Sequence, residues 1–303
     1  MDNASLYKIF IIIVTYKGHQ WYERCFTSLR DSEYPVQTIV IDNASNDGTV
    51  EYIREHFPEI HLIESKENLG FGRANNIGMR YALDNGCDYV FLLNQDTWIE
   101  SNTLRILVSI AQKYLDYGIF SPMHMEADMQ HLNFMIDDGN RNYELLSDAY
   151  THNLKEIYSI KYVNAAAWLL PRKTLESIGG FCPLIFHYGE DDDYIHRVLY
   201  HNLKVGMVPS ARIVHDTSKR LVNSKELSLK ACRDDIDSFL DITNNDSLYK
   251  QKCYLLRKCI ITFIIGSKER CKYYVNRFRI LSANQKKIEN CRMQHKKKQA
   301  NWL

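Results

Sequence analysis

The chain has 303 residues, 45% of them hydrophobic, which suits a soluble globular protein of one large domain or two. The first apolar run, residues 9–14, is too short to span a membrane, and strand and helix patterns follow it, so we expect neither a signal peptide nor a membrane span there. The eight cysteines are scattered and show no C-x-x-C spacing, which indicates neither a zinc knuckle nor a disulfide framework, so a reducing cytoplasm is the default expectation.

The net charge of +1 hides a strong asymmetry along the chain. Residues 251–303 contain 14 Lys or Arg against Glu269 and Glu289, a net charge of +12, so residues 1–250 carry −11. The basic C-terminal segment is therefore a separate electrostatic unit, and its pattern predicts helix from about residue 222.

Apolar, β-rich runs alternate with helical patterns through the first hundred residues, which predicts βα units and a mostly parallel sheet. The predicted strands lie at about 8–15, 37–42, 60–64 and 88–93, and the predicted helices between them at 20–29, 49–57 and 73–83. A helix at about 102–115 and a short strand at 118–122 continue the sheet.

The second half of the chain has a less regular pattern. Residues 123–160 are polar and irregular, whereas residues 162–170 are apolar and lead to Pro171, which suits the first turn of a helix that ends at Gly179. Another helix begins at residues 189–193 and extends to about 200. A last strand pair is predicted on either side of Pro209, at 205–208 and 211–214, leading to His215.

Two acidic features carry chemistry. The apolar strand before Asn94-Gln95-Asp96 delivers a carboxylate at its carboxyl end, where open α/β sheets bind ligands, although a lone Asp there also forms turns. Residues 190–193 are four consecutive acids at the start of a helix. The helix dipole explains one or two of them, but repulsion makes a packed run costly, which favours an inward-facing catalytic carboxylate.

Five segments, in order, resemble the signatures of the family 2 glycosyltransferases with the GT-A fold, especially their bacterial rhamnosyltransferase-like branch. They are Ile13-Val14-Thr15-Tyr16 and residues 40–49, 68–76, 92–97 and 189–193. The resemblance covers about residues 7–218 and implies an α/β fold of GT-A type, with a Rossmann-like, mostly parallel central sheet flanked by helices and a C-terminal helical extension. We expect a catalytic domain at 1–220, divided near residue 120 into a nucleotide-sugar half and an acceptor half, and a basic extension at 221–303.

The resemblance implies an inverting enzyme that moves a sugar from a nucleotide donor to a hydroxyl of a growing cell-surface glycan. Deoxythymidine diphosphate rhamnose is the expected donor, and a uridine diphosphate hexose is the alternative. Asp96 matches a ligand of a divalent cation, and its hard oxygens suit Mg²⁺ or Mn²⁺. Asp191 matches the general base that takes the acceptor proton, with Glu190 orienting acceptor or base.

The roles of His215 and Asn94 in the expected cation site have alternatives. A histidine at the position of His215 completes the metal shell in some members of the family, but a lone histidine at a strand end is also a common structural residue. Asn94 stands where the family's metal motif often has Asp, which removes one negative charge; the rhamnosyltransferase-like branch commonly shows Asn there. An imidazole ligand would favour Mn²⁺.

The remaining matched positions are assigned to the nucleotide sugar by the resemblance: Thr15, Tyr16, Asp42, Asn68, Gly70, Arg73, Asn94 and Gln95. An Asx turn at Asp42 and a solvated helix position for Arg73 stay open as alternatives. The spacing of Gly70, Gly72 and Gly78 is not G-x-G-x-x-G, which argues against a dinucleotide-dependent oxidoreductase.

The basic segment 253–298 combines apolar residues with Lys and Arg and is too charged to span a bilayer. It predicts peripheral contact with an anionic membrane, at the inner face of the plasma membrane, where a lipid-linked glycan acceptor is expected. Packing of this segment on the catalytic domain is the alternative. No nucleic-acid motif accompanies the charge, so no nucleic-acid partner is expected, although a non-catalytic membrane or nucleic-acid adaptor is the rival from another functional class.

Overall fold

The computed structural model describes residues 6–133, 142–186, 188–217, 236, 238–243 and 247–303, and within them one nine-stranded sheet carries helices on both faces. The strands are β1 (Ile9–Thr15), β2 (Val36–Asp42), β3 (His61–Glu64), β4 (Tyr89–Asn94), β5 (Thr97–Ile99), β6 (Tyr117–Met125), β7 (Tyr158–Ile160), β8 (Ala167–Pro171) and β9 (Lys204–His215). The helices are α1 (His19–Arg30), α2 (Thr49–His56), α3 (Phe71–Asp84), α4 (Thr103–Lys113), α5 (Tyr143–Tyr150), α6 (Arg172–Ile178), α7 (Glu190–Tyr200), α8 (Leu248–Ile264) and α9 (Lys268–His295).

The strands follow the order β3-β2-β1-β4-β8-β6-β9-β5, and β7 pairs with β9. The pairs among β1 to β4 are parallel, whereas β8 runs antiparallel to both β4 and β6, so the sheet is parallel in one half and mixed in the other. The predicted α/β class with flanking helices is confirmed. The parallel half is the part in which helices alternate regularly with strands.

The core lies in two layers, one on each face of the sheet. Alternate residues of a strand point to opposite faces, so Ile11 and Ile13 of β1 pack with α1 and α4 while Phe10 and Ile12 pack with α3. The helix on the second face approaches the sheet closely at Gly78, where a Cβ would lie 2.6 Å from a methyl carbon of Ile12. Burial on both faces explains why β1, β2 and β4 are nearly continuous apolar runs.

Some elements differ from the sequence prediction. The strand pair predicted around Pro209 is wrong, because β9 is continuous from Lys204 to His215. Its register with β6 shifts between Pro122 and Met123, and this irregularity accommodates the missing N–H groups of the two prolines. The short strands β5 and β7 were not predicted, since three-residue strands leave no periodic signal. The helix α5 was not predicted either, because it lies in the segment 123–160, whose pattern is polar and irregular.

The C-terminal helices α8 and α9 form a hairpin that packs against the sheet-bearing part. Leu255, Leu281 and Ile288 join a buried cluster with Cys182 and Ile185, which follow α6. Near the end of the chain, the carbonyl of Asn301 accepts a hydrogen bond from the N–H of Gly180 at 2.8 Å. The predicted domain boundary at residue 220 lies outside the described residues and stays a prediction. No helix in the described ranges is long and apolar enough to cross a membrane.

Candidate active site

One edge of the sheet collects the ends of the strands that carry the predicted site residues. Thr15 pairs with Asp42, and Val14 pairs with Asn94, so β1, β2 and β4 end side by side. The antiparallel strand β8 begins at the same edge, opposite Leu93. His215 ends β9 and pairs with Thr97, directly after Asp96, so the predicted metal ligands meet at this edge as well.

Asp42 is buried and fixed at the end of β2. The hydroxyl of Thr15 donates to its Oδ1 at 3.0 Å, and the N–H of Ser45 donates to its Oδ2 at 2.9 Å. This local bond spans three residues, one more than the Asx turn that was the alternative assignment, but it gives Asp42 the same kind of turn-stabilising role. The hydrogen bonds orient the carboxylate without deciding whether it also binds a nucleotide, so its ligand role stays a prediction.

Asn43 holds the loop that contains Gly70, after β3, a role that its position in the sequence did not indicate. Its Oδ1 accepts from the N–H of Leu69 at 3.0 Å, and its Nδ2 donates to the carbonyl of Gly70 at 3.2 Å. Asn68 also accepts from the N–H of Gly70, at 2.9 Å. Gly70 has a φ of +78°, and a Cβ there would collide with the carbonyl oxygen of Phe186, so the loop requires glycine.

Gln95 joins the end of β4 to the end of β1. The N–H of Tyr16 donates to its Oε1 at 2.9 Å, and its Nε2 donates to the carbonyl of Tyr16 at 3.2 Å. The Tyr16 ring is 41% exposed and lies at the open side of this edge. Arg73, at the start of α3, donates twice to the carbonyl of Pro183, at 3.1 and 2.8 Å, and so holds the segment that leads to α7.

The acidic run at the start of α7 is divided among different surroundings. Asp191 accepts a hydrogen bond through Oδ2 from the N–H of Ala165 at 3.1 Å, in the segment that enters β8. The neighbouring carbonyl of Ala166 accepts from the N–H of Asn94, so Asp191 lies beside the end of β4. Asp191 is half-buried and Glu190 is buried, whereas Asp192 is exposed. The fourth acid, Asp193, forms a buried ion pair with Arg197 at 2.9 Å.

Half-buried Asp96 lies beside the buried His215, whose ring nitrogens are not used within the described residues. His215 Nε2 lies 3.5 Å from Asp96 Oδ1, and the imidazole is 1% exposed. Within the described part of the chain, neither ring nitrogen of His215 makes a hydrogen bond, and the buried Oδ1 of Asn94 makes none. Leaving a buried polar group unsatisfied costs about 1–3 kcal/mol, so a pair that retains this cost fits a ligand that supplies the missing bonds.

Carboxylate oxygen and imidazole nitrogen are ligands that suit a divalent cation such as Mn²⁺. The described residues contain no group of three or more His, Cys, Asp or Glu side chains placed to hold a metal. Asp96 and His215 are one candidate oxygen ligand and one candidate nitrogen ligand of this kind.

The groups behind this pair are neutral. Burial holds the pKa of His124 well below its usual value, with a further lowering from His215, whose ring centre lies 6.1 Å away. Burial raises the pKa of the Cys25 thiol, and the charge of Asp96 raises it further. His124 and Cys25 therefore place polar but uncharged groups beside this pair.

A separate cavity of about 420 Å³ lies near the amino ends of β2 and β3, lined in part by Arg30, Val36 and His61. None of the predicted site residues lines it, so it is not part of the site described above.

Comparison with known proteins places this arrangement in a family. The model of glycosyl transferase family 2 matches residues 10–178, more than half of the chain. The chain is 26% identical over 222 residues to the low-salt glycan biosynthesis hexosyltransferase Agl10 of Haloferax volcanii, covering 71% of this chain and 69% of that protein.

Two further relatives are named as rhamnosyltransferases. Identity to the N-acetylglucosaminyl-diphospho-decaprenol L-rhamnosyltransferase of Mycobacterium tuberculosis is 25% over 229 residues, which covers 68% of this chain and 75% of the relative. Identity to the dTDP-rhamnosyl transferase RfbF of Shigella flexneri is 21% over 282 residues, which covers 93% of this chain and 90% of the relative.

Solved structures show the same fold. The mannosyltransferase PcManGT from Pyrobaculum calidifontis, in complex with GDP-Man and Mn²⁺, aligns with a TM-score of 0.59 at 18% identity, over 97% of this chain and 75% of that one. GalNAc-T7 with UDP, GalNAc and Mn²⁺ aligns with a TM-score of 0.61 at 15% identity, over 99% and 56%. The expected GT-A architecture with C-terminal helices is confirmed. By the family match over more than half its length, the chain belongs to glycosyl transferase family 2 and is a glycosyltransferase.

Proposed function

We propose that this enzyme transfers rhamnose, from deoxythymidine diphosphate rhamnose, to a hydroxyl of a growing cell-surface glycan, with inversion at the anomeric carbon. Two relatives whose names state rhamnosyl transfer support the donor. The observation that carries the mechanism is the convergence at one sheet edge of Asp191 with Asp96 and the buried His215.

The donor nucleotide binds along the ends of β1 and β2 in this proposal. Asp42, held by Thr15 and Ser45, accepts hydrogen bonds from the base or ribose. Tyr16 offers an exposed ring beside it. The loop at Asn68 and Gly70 brings backbone close to the diphosphate, and Gln95 fixes the distance between the two strand ends. Arg73 contributes by holding the loop at Pro183 and by its positive charge.

Asp96 and His215 would hold a divalent cation, Mn²⁺ or Mg²⁺, with the amide oxygen of Asn94 as a further weak ligand or as an acceptor from ribose or water. When bound, the cation stabilises the negative charge of the leaving diphosphate. The structures of PcManGT and GalNAc-T7 are both complexes with Mn²⁺, which supports a cation of this kind here.

Asp191 is the general base in this proposal. The acceptor hydroxyl gives its proton to the Asp191 carboxylate while its oxygen bonds to the anomeric carbon. The bond from that carbon to the diphosphate oxygen breaks, and the nucleoside diphosphate leaves with the electron pair. The hydrogen bond from Ala165 orients the carboxylate, and Glu190, on the same turn, orients the acceptor. Attack opposite the leaving group inverts the configuration.

The acceptor is a glycan or a lipid-linked glycan. The name of the Mycobacterium tuberculosis relative states a diphospho-decaprenol carrier, which supports a lipid-linked acceptor for this enzyme too. We propose peripheral association with the inner face of the plasma membrane through the basic segment 253–298. A uridine diphosphate hexose stays the alternative donor, whereas a non-catalytic adaptor is not supported for a member of this family.

A donor screen tests the proposal. Purified enzyme is given each of several nucleotide sugars, with and without Mn²⁺, and sugar release and thermal stability are measured together. We expect deoxythymidine diphosphate rhamnose to raise the unfolding temperature and to be hydrolysed slowly when Mn²⁺ is present, since specific binding stabilises the folded state. Turnover with uridine diphosphate hexoses alone would replace the donor. An absence of binding and turnover with every donor would overturn the mechanism.

A further inference from the structure

The turn between α8 and α9 exposes a compact group of large apolar side chains. Phe263, Ile264 and Ile265 are 77%, 75% and 73% exposed, and Ile260, one helical turn earlier, is 60% exposed. Gly266, with a φ of +76°, follows them and allows the chain to reverse into α9. We call residues 260–265 the hairpin tip.

The base of the same hairpin uses its apolar side chains differently. Leu255, Leu281 and Ile288 are buried in the cluster that joins the hairpin to Cys182 and Ile185. These three residues hold the hairpin to the enzyme, whereas the group of adjacent apolar side chains that is most exposed lies at the tip. Away from the tip, Tyr249 and Met293 are exposed singly. A contiguous exposed apolar group on a charged segment marks an interaction surface.

Positive charge surrounds the hairpin tip. Residues 257–272 contain five Lys or Arg and one acid, Glu269, so their net charge is +4. Lys268, Arg270 and Lys272 are exposed on the first turns of α9, directly beyond the tip. An apolar group bordered by cations matches a lipid surface in which acyl chains lie under anionic phosphates.

We propose that the hairpin tip is a membrane-docking element, which enters an anionic bilayer with Phe263, Ile264 and Ile265 while the flanking cations bind lipid phosphates. This narrows the contact expected along all of 253–298. A helix that lies flat on a membrane needs an apolar face along its length. Along α9, Leu281 and Ile288 are instead buried against the enzyme, and Met293 is exposed alone, so α9 presents no such face and the contiguous apolar group at the tip makes the contact.

A second copy of the chain is a poorer occupant of this surface. Joining two tips would bring two regions of net charge +4 together, and their repulsion opposes association. Stable protein interfaces also bury roughly 800 Å² on each partner, which is more than a few apolar side chains at a helix turn provide. Charge and size therefore both favour a lipid surface.

Vesicle sedimentation with the full chain tests the docking element. The probes are phosphatidylcholine vesicles with and without phosphatidylglycerol, and the variant changes Phe263, Ile264 and Ile265 to Ser. We expect the triple variant to lose more than about tenfold in partitioning to anionic vesicles, from the apolar area withdrawn. Leu115→Ser, at a residue that is 68% exposed next to α4, is the matched control and should bind as the original protein does.

A second pair of variants tests the charges. Lys268→Gln with Arg270→Gln should weaken binding about fivefold for each charge removed, and added salt should weaken the original protein. Lys296→Gln with Lys297→Gln, exposed at the far end of α9, should have little effect. Circular dichroism confirms that each variant is folded.

The proposal is overturned if vesicle binding survives the triple Ser change. It is also overturned if the triple change alters the oligomeric state in gel filtration instead of vesicle binding, because the tip would then bind a second copy of the chain. Donor hydrolysis without lipid reports on the catalytic proposal separately, so the two can fail independently.

Discussion

The two sides of the active-site edge use their polar side chains in opposite ways. On the donor side, at the ends of β1 and β2, Thr15 bonds Asp42 and Tyr16 exchanges two hydrogen bonds with Gln95. On the cation side, after β4 and at the end of β9, Asn94 and His215 keep buried atoms that make no hydrogen bond within the described residues.

This difference distinguishes residues that hold the site in its shape from residues that need a ligand to complete their hydrogen bonds. Groups that satisfy each other hold the strand ends in position whether or not a ligand is bound, so their loss should lower stability and weaken binding moderately. Groups that lack partners add a cost to folding that a ligand can remove. Their loss should reduce activity strongly and stability little, and the predictions below test this contrast.

The largest effect is expected at Asp191, which is in the first turn of α7 and lies beside the end of β4. Asp191→Asn removes the proton acceptor and should lower kcat by about 10²–10⁴-fold, the usual contribution of a general base. Asp192→Asn is the matched control, since it removes the same charge from the next, exposed position of α7. Steady-state rates of both variants test this prediction. Equal losses of kcat would show that activity depends on the negative charge at the start of α7 and not on a general base at Asp191.

A second prediction contrasts two buried histidines. His215 makes no hydrogen bond through either ring nitrogen among the described residues, whereas His295 Nδ1 lies 3.2 Å from the carbonyl of Leu240 and 3.4 Å from Asp193 Oδ1. Burial, with Arg197 nearby, lowers the pKa of His295 to about 4 despite the opposing effect of Asp193. The ring is therefore neutral in the folded protein at physiological pH.

The sign of the pH effect follows from this lowered pKa. Below the unfolded value near 6.5, the unfolded chain binds a proton that the folded chain refuses, so stability should fall as pH drops from about 6.5 to 4, by roughly 3 kcal/mol. His295→Gln should remove this part of the slope. Urea unfolding of both proteins at several pH values measures it, and parallel slopes would contradict the prediction.

His215→Leu should separate activity from stability. Removing the imidazole should raise the Mn²⁺ concentration needed for activity by at least about 10- to 100-fold, since losing a group that only supports a metal ligand already has an effect of that size. The melting temperature should hold or rise, because two unsatisfied nitrogens are replaced by an apolar side chain. Asp96→Asn should act through the same cation, so the double variant should lose less than the sum of the two single effects.

The contrast also explains how far the sequence could predict this site. The ends of β1, β2 and β4 were predictable because each apolar run stops at a polar residue, at Thr15, Asp42 and Asn94. The proximity of Asp96 and His215 depends on the pairing of β5 with β9, which joins residues far apart in the chain. Their shared role therefore came from the family resemblance, and the structure supplied the contact.

Residues that support the site were harder to predict. Asn43 lies within a matched segment, but its bonds to Leu69 and Gly70 depend on how the loop folds back, which local pattern does not reveal. The burial of Asp193 with Arg197 likewise depends on the packing of α7 against the C-terminal segment. The local sequence pattern does not distinguish the four acids of the run. The family resemblance selected Asp191 and Glu190, and the structure shows that the four side chains have different surroundings.

Gly70→Ala tests the shape of the donor side. The substitution should destabilise the protein by about 1–3 kcal/mol, because it combines a positive φ with a collision against the Phe186 carbonyl. Gly48→Ala is the matched control: φ there is +84°, and a Cβ would meet nothing within 4 Å. The difference between the two unfolding free energies isolates the collision, and equal values would mean that the loop moves freely away from Phe186.

Thr15→Val should have the smallest effect. The substitution keeps the shape of the β-branched side chain and removes its hydrogen bond to Asp42, which should cost about 1 kcal/mol of stability and raise the donor KM several-fold. Thr38→Val, at a half-buried position of β2, controls for the change of residue type. The Mn²⁺ dependence should stay the same, because Thr15 acts on the donor side alone. A shift in the Mn²⁺ dependence as large as that of His215→Leu would show that the two sides of the site are coupled and do not act separately.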